Sequence, residues 1–145
     1  ANPFADRDWS YLNSSFKLEK ASKILKKTNH RVGIFGHLHR VLNSTFSEKN
    51  ILNINSLRAN SLSNKEINIL NTGSIGQPRD KNNPRPSFLW LDINIPNDFR
   101  LENYQYKYQL EFFDYPINEH LKSIQTSTFS LKTKEKLLSY FIKKN

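Results

Sequence analysis

The stretch Val32-Gly33-Ile34-Phe35-Gly36-His37-Leu38-His39 places a short apolar run directly before two histidines that are one residue apart. An apolar run of four residues with two β-branched members is typical of a short strand. In an extended backbone, residues i and i+2 project to the same side, so we expect both imidazoles to converge on one site after a tight turn at Gly36. Imidazole is a common ligand of zinc, iron and nickel, although two histidines do not complete a metal site.

The alternative interpretation of this pair is two exposed or hydrogen-bonded histidines without a metal. The chain has two further histidines, His30 and His120, and both lie among polar residues. We expect those two at the surface, outside any site.

A second candidate loop follows the short apolar run Ile67–Leu70, which is predicted as a strand. The loop reads Asn71-Thr72-Gly73-Ser74-Ile75-Gly76-Gln77-Pro78-Arg79 and combines two glycines, two hydroxyl side chains and an arginine. Backbone N–H groups and a guanidinium in such a loop can bind an anion, and the alternative is an ordinary turn-rich connection. Because active sites in sheet proteins are assembled from several strand-end loops, we expect this loop to meet the histidine pair.

Periodicity along the rest of the chain predicts a mixed architecture. A helix is predicted within residues 9–27, capped by Ser14 or Ser15, because apolar residues recur there at helical spacing. Further strands are predicted at Val41–Phe46, around Ile51–Ile54, at Phe88–Ile93 and over residues 104–112, where tyrosines alternate with polar residues. Two amphipathic helices are predicted at Ile117–Ile124 and Lys132–Ile142. The order of elements indicates a layered α/β or α+β domain.

Composition narrows the function classes. The 145 residues include 22 Lys+Arg and 13 Asp+Glu, which gives a formal net charge of +9, and they include no Cys. The lack of Cys excludes disulfides, thiolate metal ligands and a cysteine nucleophile. No apolar run approaches the ~20 residues that span a bilayer, and no signal peptide is visible. We therefore expect one cytoplasmic domain that has no membrane partner. Its excess positive charge permits an anionic binding partner.

Three segments of the chain resemble the calcineurin-like metallophosphoesterases. Residues 36–39 are similar to the G-H-T-H motif of that family, with Leu38 in place of Thr. Residues 70–80 resemble its N-P-G-S-V-G-Q-P-R-D segment, with Thr72 in place of Pro, and residues 84–92 resemble its P-R-A-S-Y-A-hydrophobic-L-D strand. Order and spacing also agree, and the match is to the bacterial branch described as protein-phosphatase-like or diadenosine tetraphosphatase-like. It covers residues 1–92 well and is weak beyond Tyr115.

This resemblance implies a four-layer α/β/β/α sandwich, with mixed and mostly antiparallel strands and terminal helices, and with a dinuclear metal site at strand ends. It implies that His37 ligates one metal and His39 the other, the two divalent ions being Mn, Fe, Ni or Zn. The resemblance also implies that five loop residues bind the substrate or support the metal ligands: Gly36, Asn71, Gly73, Ser74 and Arg79. The implied activity is metal-dependent hydrolysis of a phosphate ester, so the implied partner is a phosphorylated substrate.

The family's D-x-H, G-D and G-N-H-[DE] motifs, which supply the remaining ligands and the leaving-group acid, are absent from the sequence. No catalytic residue is therefore assigned within the chain. We expect residues 1–115 to form the C-terminal portion of a metallophosphoesterase domain, with residues 116–145 as a helical tail packed on it. The N-terminal portion would then be a partner, and the chain alone should bind metal weakly and show little or no phosphatase activity.

Two functions of other classes stay open. One is a non-catalytic interaction module that retains the phosphoesterase fold. The other is a basic nucleic-acid-binding domain that uses the lysine-rich segment 17–27 and stacking by Tyr104, Tyr106 and Tyr108. Alternating tyrosines more often face a core, and a lysine-rich helix is usually a solvated face. We therefore expect no nucleic-acid partner.

Overall fold

A computed structural model describes residues 2–47, 51–54, 60–62, 66–80, 82–100 and 103–141. In these residues the chain forms the helices α1 (Ser15–Lys27), α2 (Ile117–Thr126) and α3 (Leu131–Leu138). The strands are β1 (Val32–Phe35), β2 (Val41–Phe46), β3 (Ile51–Ile54), β4 (Asn60–Leu62), β5 (Ile67–Thr72), β6 (Ser87–Asn94) and β7 (Gln105–Phe112). The predicted mixed α/β architecture is confirmed.

The strands form two sheets. The first has the order β1-β5-β2-β3, with β1 parallel to β5 and the other neighbours antiparallel. The second has the order β4-β7-β6 and is antiparallel throughout. Because β1 and β5 run in the same direction, Phe35, the last residue of β1, is paired with Asn71, the residue before the end of β5. The loops that follow these two strands therefore start side by side.

Helix α1 covers one face of the first sheet. It begins after Ser14, whose hydroxyl accepts the backbone N–H of Lys17 at 3.4 Å, so the predicted cap is confirmed. Its apolar face packs against the side chains of β5 that point to this side. The buried residues of this contact are Leu18, Ala21 and Leu25 from the helix and Ile67 and Ile69 from the strand.

The second sheet packs on the opposite face of the first. Leu70 of β5 lies in a buried cluster with Leu62 of β4 and Tyr108 of β7. Along β7, Tyr108 and Leu110 are buried whereas Gln105, Lys107 and Gln109 are exposed, which confirms the predicted alternation. A helix and two sheets are thus stacked in the order helix, sheet, sheet, with β5 buried on both faces.

The sequence interpretation missed one strand and misplaced some ends. Strand β4 was not predicted, because three residues are too few to show a periodicity, and the strand forms by pairing with the backbone of β7. Strand β5 continues to Thr72, two residues beyond the predicted Leu70. Helix α3 begins at Leu131 and ends at Leu138, and the predicted end at Ile142 lies outside the described residues.

The C-terminal helices contribute few buried side chains: Ile124 is buried in α2, and none is buried in α3. His120 is half-buried, with its ring edge-on to Tyr115 at 5.7 Å and to Phe141 at 4.9 Å between ring centroids. His120 is therefore at the surface in part only, because Tyr115 and Phe141 each contact its ring. Within the parts of the chain that the structure describes, no helix has the length and apolar character needed to cross a membrane.

Candidate functional site

The histidine pair lies in the loop after β1, and its backbone is not extended. His37 has φ of 76° and His39 has φ of 59°, which places both in the left-handed region. The expectation that an extended backbone would turn both imidazoles to one side is therefore wrong. Gly36 also does not supply the left-handed turn, since its φ is not positive and a Cβ there would meet nothing within 4 Å. The two histidines make the turn themselves, and surrounding contacts hold them in it.

His37 is held by residues 9–11. Its Nε2 lies 3.0 Å from the carbonyl oxygen of Trp9. Its ring stacks on that of Tyr11, with centroids 4.4 Å apart and planes 13° apart, and contacts Trp9 edge-on at 5.9 Å. Because a carbonyl oxygen only accepts, Nε2 carries the hydrogen and, in the neutral imidazole, Nδ1 keeps its lone pair.

His39 is held by the loop after β5. Its Nδ1 lies 2.9 Å from the carbonyl oxygen of Gln77, so Nδ1 carries the hydrogen and Nε2 of the neutral ring keeps the lone pair. An imidazole that donates one N–H to a backbone carbonyl and leaves the other nitrogen free has the arrangement found in metal-ligating histidines. Within the residues that the structure describes, His37 and His39 both have it, with acceptors in the N-terminal segment and in the loop after β5.

Further hydrogen bonds join the loops after β1 and β5. The side-chain amide of Asn71 donates to the carbonyl of Gly36 at 3.1 Å, and the backbone N–H of Arg79 donates to the carbonyl of His39 at 2.9 Å. Nε of Arg40 donates to the carbonyl of Arg79 at 3.1 Å. The expected meeting of the histidine pair with the 71–79 loop is confirmed by these contacts.

Gly73 and Ser74 shape this loop. Gly73 has φ of 80°, and a Cβ there would lie 2.0 Å from Oγ of Ser87, so only glycine fits. The Ser74 hydroxyl accepts the backbone N–H of Gln77 at 3.0 Å, and its carbonyl accepts the backbone N–H of Ser87 at 3.1 Å. Both residues therefore act on the conformation of the loop.

The guanidinium of Arg79 is fixed by three contacts. One terminal nitrogen donates to Oε1 of Gln77 at 2.7 Å, and the other donates to the hydroxyl of Tyr11 at 3.4 Å. The ring of Tyr140 lies 4.8 Å from the guanidinium carbon. Nε of Arg79 is buried and has no hydrogen-bond partner within the described ranges. Each terminal nitrogen has two N–H groups and uses one of them in these contacts, so within the described residues Arg79 offers an oriented cation with two remaining donors.

An N-terminal turn positions residues 9–11. The Asp8 carboxylate accepts the backbone N–H of Ser10 at 2.7 Å, and the side-chain amide of Asn2 donates to the carbonyls of Asp8 and Ser10 at 3.0 and 2.8 Å. The hydrogen bond from the Ser10 backbone, with smaller contributions from the Ser10 and Asn2 side chains, holds the pKa of Asp8 below its ordinary value of 3.8. This turn fixes the carbonyl that orients His37.

The sequence interpretation missed three side chains of this site: Trp9, Tyr11 and Tyr140. The first two adjoin the predicted helix, and their pairing with His37 depends on a backbone turn that has no sequence signature. Tyr140 lies in the C-terminal tail, and no pattern connected it to Arg79. The acceptor carbonyls of Trp9 and Gln77 had no signal either, because every residue carries a carbonyl group.

His37 and His39 fit a metal ion only as part of a ligand set. Across the described ranges, no group of three or more His, Cys, Asp or Glu residues is placed to hold one. Structural and catalytic metal sites ordinarily use three or four protein ligands, so further ligands would have to be added to these two. Comparisons with known proteins found no matching family model, no matching curated protein and no matching solved structure.

Proposed function

We propose that this chain contributes two metal ligands and an oxyanion-binding arginine to the site of a metal-dependent phosphoesterase. One observation carries the proposal. Within the described residues, His37 and His39 each donate one ring N–H to a backbone carbonyl and keep a lone pair on the other ring nitrogen, in a loop joined to Arg79. Metal-binding imidazoles need this division of roles between their two nitrogens.

In this proposal, Nδ1 of His37 and Nε2 of His39 are the metal-binding atoms. A bound divalent metal, which could be Mn, Fe, Ni or Zn, would polarise a phosphoryl oxygen and lower the pKa of a bound water. The hydrogen bonds to Trp9 and Gln77 hold both rings in the required tautomers. The remaining ligands, and a second ion, would require the N-terminal portion that the family resemblance implies.

Arg79 is proposed to bind the phosphoryl oxygens of the substrate. A guanidinium offers a planar set of donors that suits an oxyanion, and its contacts with Gln77 and Tyr11 fix its orientation. The net charge of +9 adds a long-range attraction for a phosphorylated molecule. Positioning and charge stabilisation are the main demands of phosphoryl transfer, so an oriented arginine beside metal ligands suits this chemistry.

The stacking of α1 on one sheet and of a second sheet behind it supports assignment to a four-layer α/β/β/α sandwich. These elements would form three of its layers. Residues 1–115 would then be the C-terminal portion of the catalytic domain, and residues 116–145 its tail. The nucleic-acid alternative has less support, because Tyr108 is buried between the sheets and Tyr104 and Tyr106 are half-buried.

Calorimetric titration of the full chain with Zn²⁺ tests the ligand assignment. We expect weak binding, lost in the double variant His37→Ala/His39→Ala and retained in His30→Ala, whose ring is exposed. Methylphosphonate, a non-hydrolysable phosphoester mimic, should bind more tightly with Zn²⁺ present and less tightly in Arg79→Leu than in Arg100→Leu. Zn²⁺ binding that survives the double variant would refute the proposal.

A further inference from the structure

Tyr140 belongs to the C-terminal tail but lies against Arg79 in the site. Helix α3 ends at Leu138, and the chain continues in turns in which Tyr140 donates its N–H to the carbonyl of Leu137 at 3.2 Å. This places the Tyr140 ring over the Arg79 guanidinium at 4.8 Å. A guanidinium at this distance over an aromatic face is attracted by the ring quadrupole.

The contact with Tyr140 places the guanidinium carbon of Arg79 over the ring face, and the two hydrogen bonds of Arg79 use one N–H of each terminal nitrogen. Within the described residues, each terminal nitrogen therefore keeps a second N–H that can donate to an oxyanion. Gln77, Tyr11 and Tyr140 together restrain the guanidinium. The three contacts together reduce the freedom that an unrestrained arginine would lose on binding an anion.

The residue after Tyr140 holds the same segment to the start of the tail. Phe141 packs edge-on against His120, and His120 packs against Tyr115, where the chain leaves the second sheet. Few other side chains of α2 and α3 are buried. The placement of the tail therefore depends strongly on the Tyr140–Arg79 contact and the Tyr115–His120–Phe141 contacts.

We propose that Tyr140 is a positioning residue for oxyanion binding at Arg79, so that docking of the tail and binding of a phosphoryl group strengthen each other. This inference rests on the proposed function, since it takes Arg79 as the oxyanion-binding group. The coupling is reciprocal: a docked tail raises the affinity for the anion, and a bound anion stabilises the docked tail by the same factor.

The test compares methylphosphonate affinity, measured by isothermal titration calorimetry, in the full chain and its variants. Loss of the ring in Tyr140→Leu should weaken binding by about two- to fivefold, the range expected of an exposed cation–π contact. Tyr140→Phe keeps the ring and should bind like the unmodified chain. Phe129→Leu removes an exposed aromatic side chain of the tail, 54% accessible, and should change nothing.

Trypsin cleavage at the tail lysines gives a second readout, which also works without any anion. Arg79→Leu and Tyr140→Leu should both speed cleavage within residues 132–136, and methylphosphonate should slow it in the unmodified chain and in Tyr140→Phe. Equal or tighter methylphosphonate binding by Tyr140→Leu, in a protein with unchanged circular dichroism, would overturn the inference. Unchanged binding by Arg79→Leu would instead refute the proposed function.

Discussion

The backbone N–H of Arg79 donates to the backbone carbonyl of His39 across 2.9 Å, so a proposed oxyanion-binding residue and a proposed metal ligand belong to one hydrogen-bonded unit. The side chain of Arg40 reinforces the link by donating to the carbonyl of Arg79. Because the direct link uses only backbone groups, side-chain substitutions at Arg79 or His39 leave it in place. The side chain of His39 adds a second link between the same two loops through its hydrogen bond to the carbonyl of Gln77.

The conformation of the 71–79 loop should depend on Gly73. In Gly73→Ala the Cβ would lie 2.0 Å from Oγ of Ser87 and the residue would keep φ of 80°, so we expect destabilisation of about 1–3 kcal/mol. Gly76→Ala, in the same loop, meets nothing within 4 Å and should change stability by less than about 0.5 kcal/mol. Urea unfolding measures both, and equal effects would contradict this description of the loop.

The helix, sheet, sheet stacking should depend on the central strand β5. Ile69 is 1% exposed and packs beneath α1, so Ile69→Ala should lower the free energy of unfolding by about 2–5 kcal/mol. Ile75→Ala, at a position 63% exposed, should cost less than about 0.5 kcal/mol. Denaturant unfolding followed by circular dichroism gives both values. A small loss for Ile69→Ala would show that α1 does not pack as described.

Tyr11 should serve the metal ligand and the oxyanion group through different parts of its side chain. Its ring stacks on His37 and its hydroxyl accepts from Arg79. Tyr11→Leu should weaken Zn²⁺ binding by about two- to tenfold, the range for a lost aromatic pair. Tyr11→Phe should keep Zn²⁺ affinity and weaken only methylphosphonate binding. Calorimetry with each ligand separates the two effects, and equal losses of Zn²⁺ affinity would contradict this division.

The turn that carries Trp9 should loosen at low pH. The pKa of Asp8 is lowered in the folded chain, so its contribution to stability is present above the ordinary value of 3.8 and is lost as pH falls through the lowered value. The stability difference between the unmodified chain and Asp8→Asn should therefore shrink with acidification. NMR titration of the Asp8 carboxyl should give a midpoint below 3.8. A midpoint at or above it would mean that the turn is not formed.

The elements set by repeating patterns could be predicted from the sequence. Alternation between Tyr108 and its polar neighbours identifies a one-sided strand, and the spacing of Leu18, Ala21 and Leu25 identifies the buried face of α1. The meeting of the two candidate loops also followed from strand ends. The details of the site could not be predicted from the sequence, because the positive φ of His37 and the contact of Tyr140 with Arg79 arise from tertiary packing.

The most direct test of the central claim is the protonation and metal response of individual imidazole nitrogens, read from long-range ¹H–¹⁵N NMR spectra of the full chain. Before metal is added, we expect a protonated Nε2 in His37 and a protonated Nδ1 in His39. On addition of Zn²⁺, the ¹⁵N chemical shifts of Nδ1 of His37 and Nε2 of His39 should both change. Those of the ring nitrogens of His30 and His120 should not. Opposite tautomers, or Zn²⁺ shifts as large at His30 and His120, would contradict it.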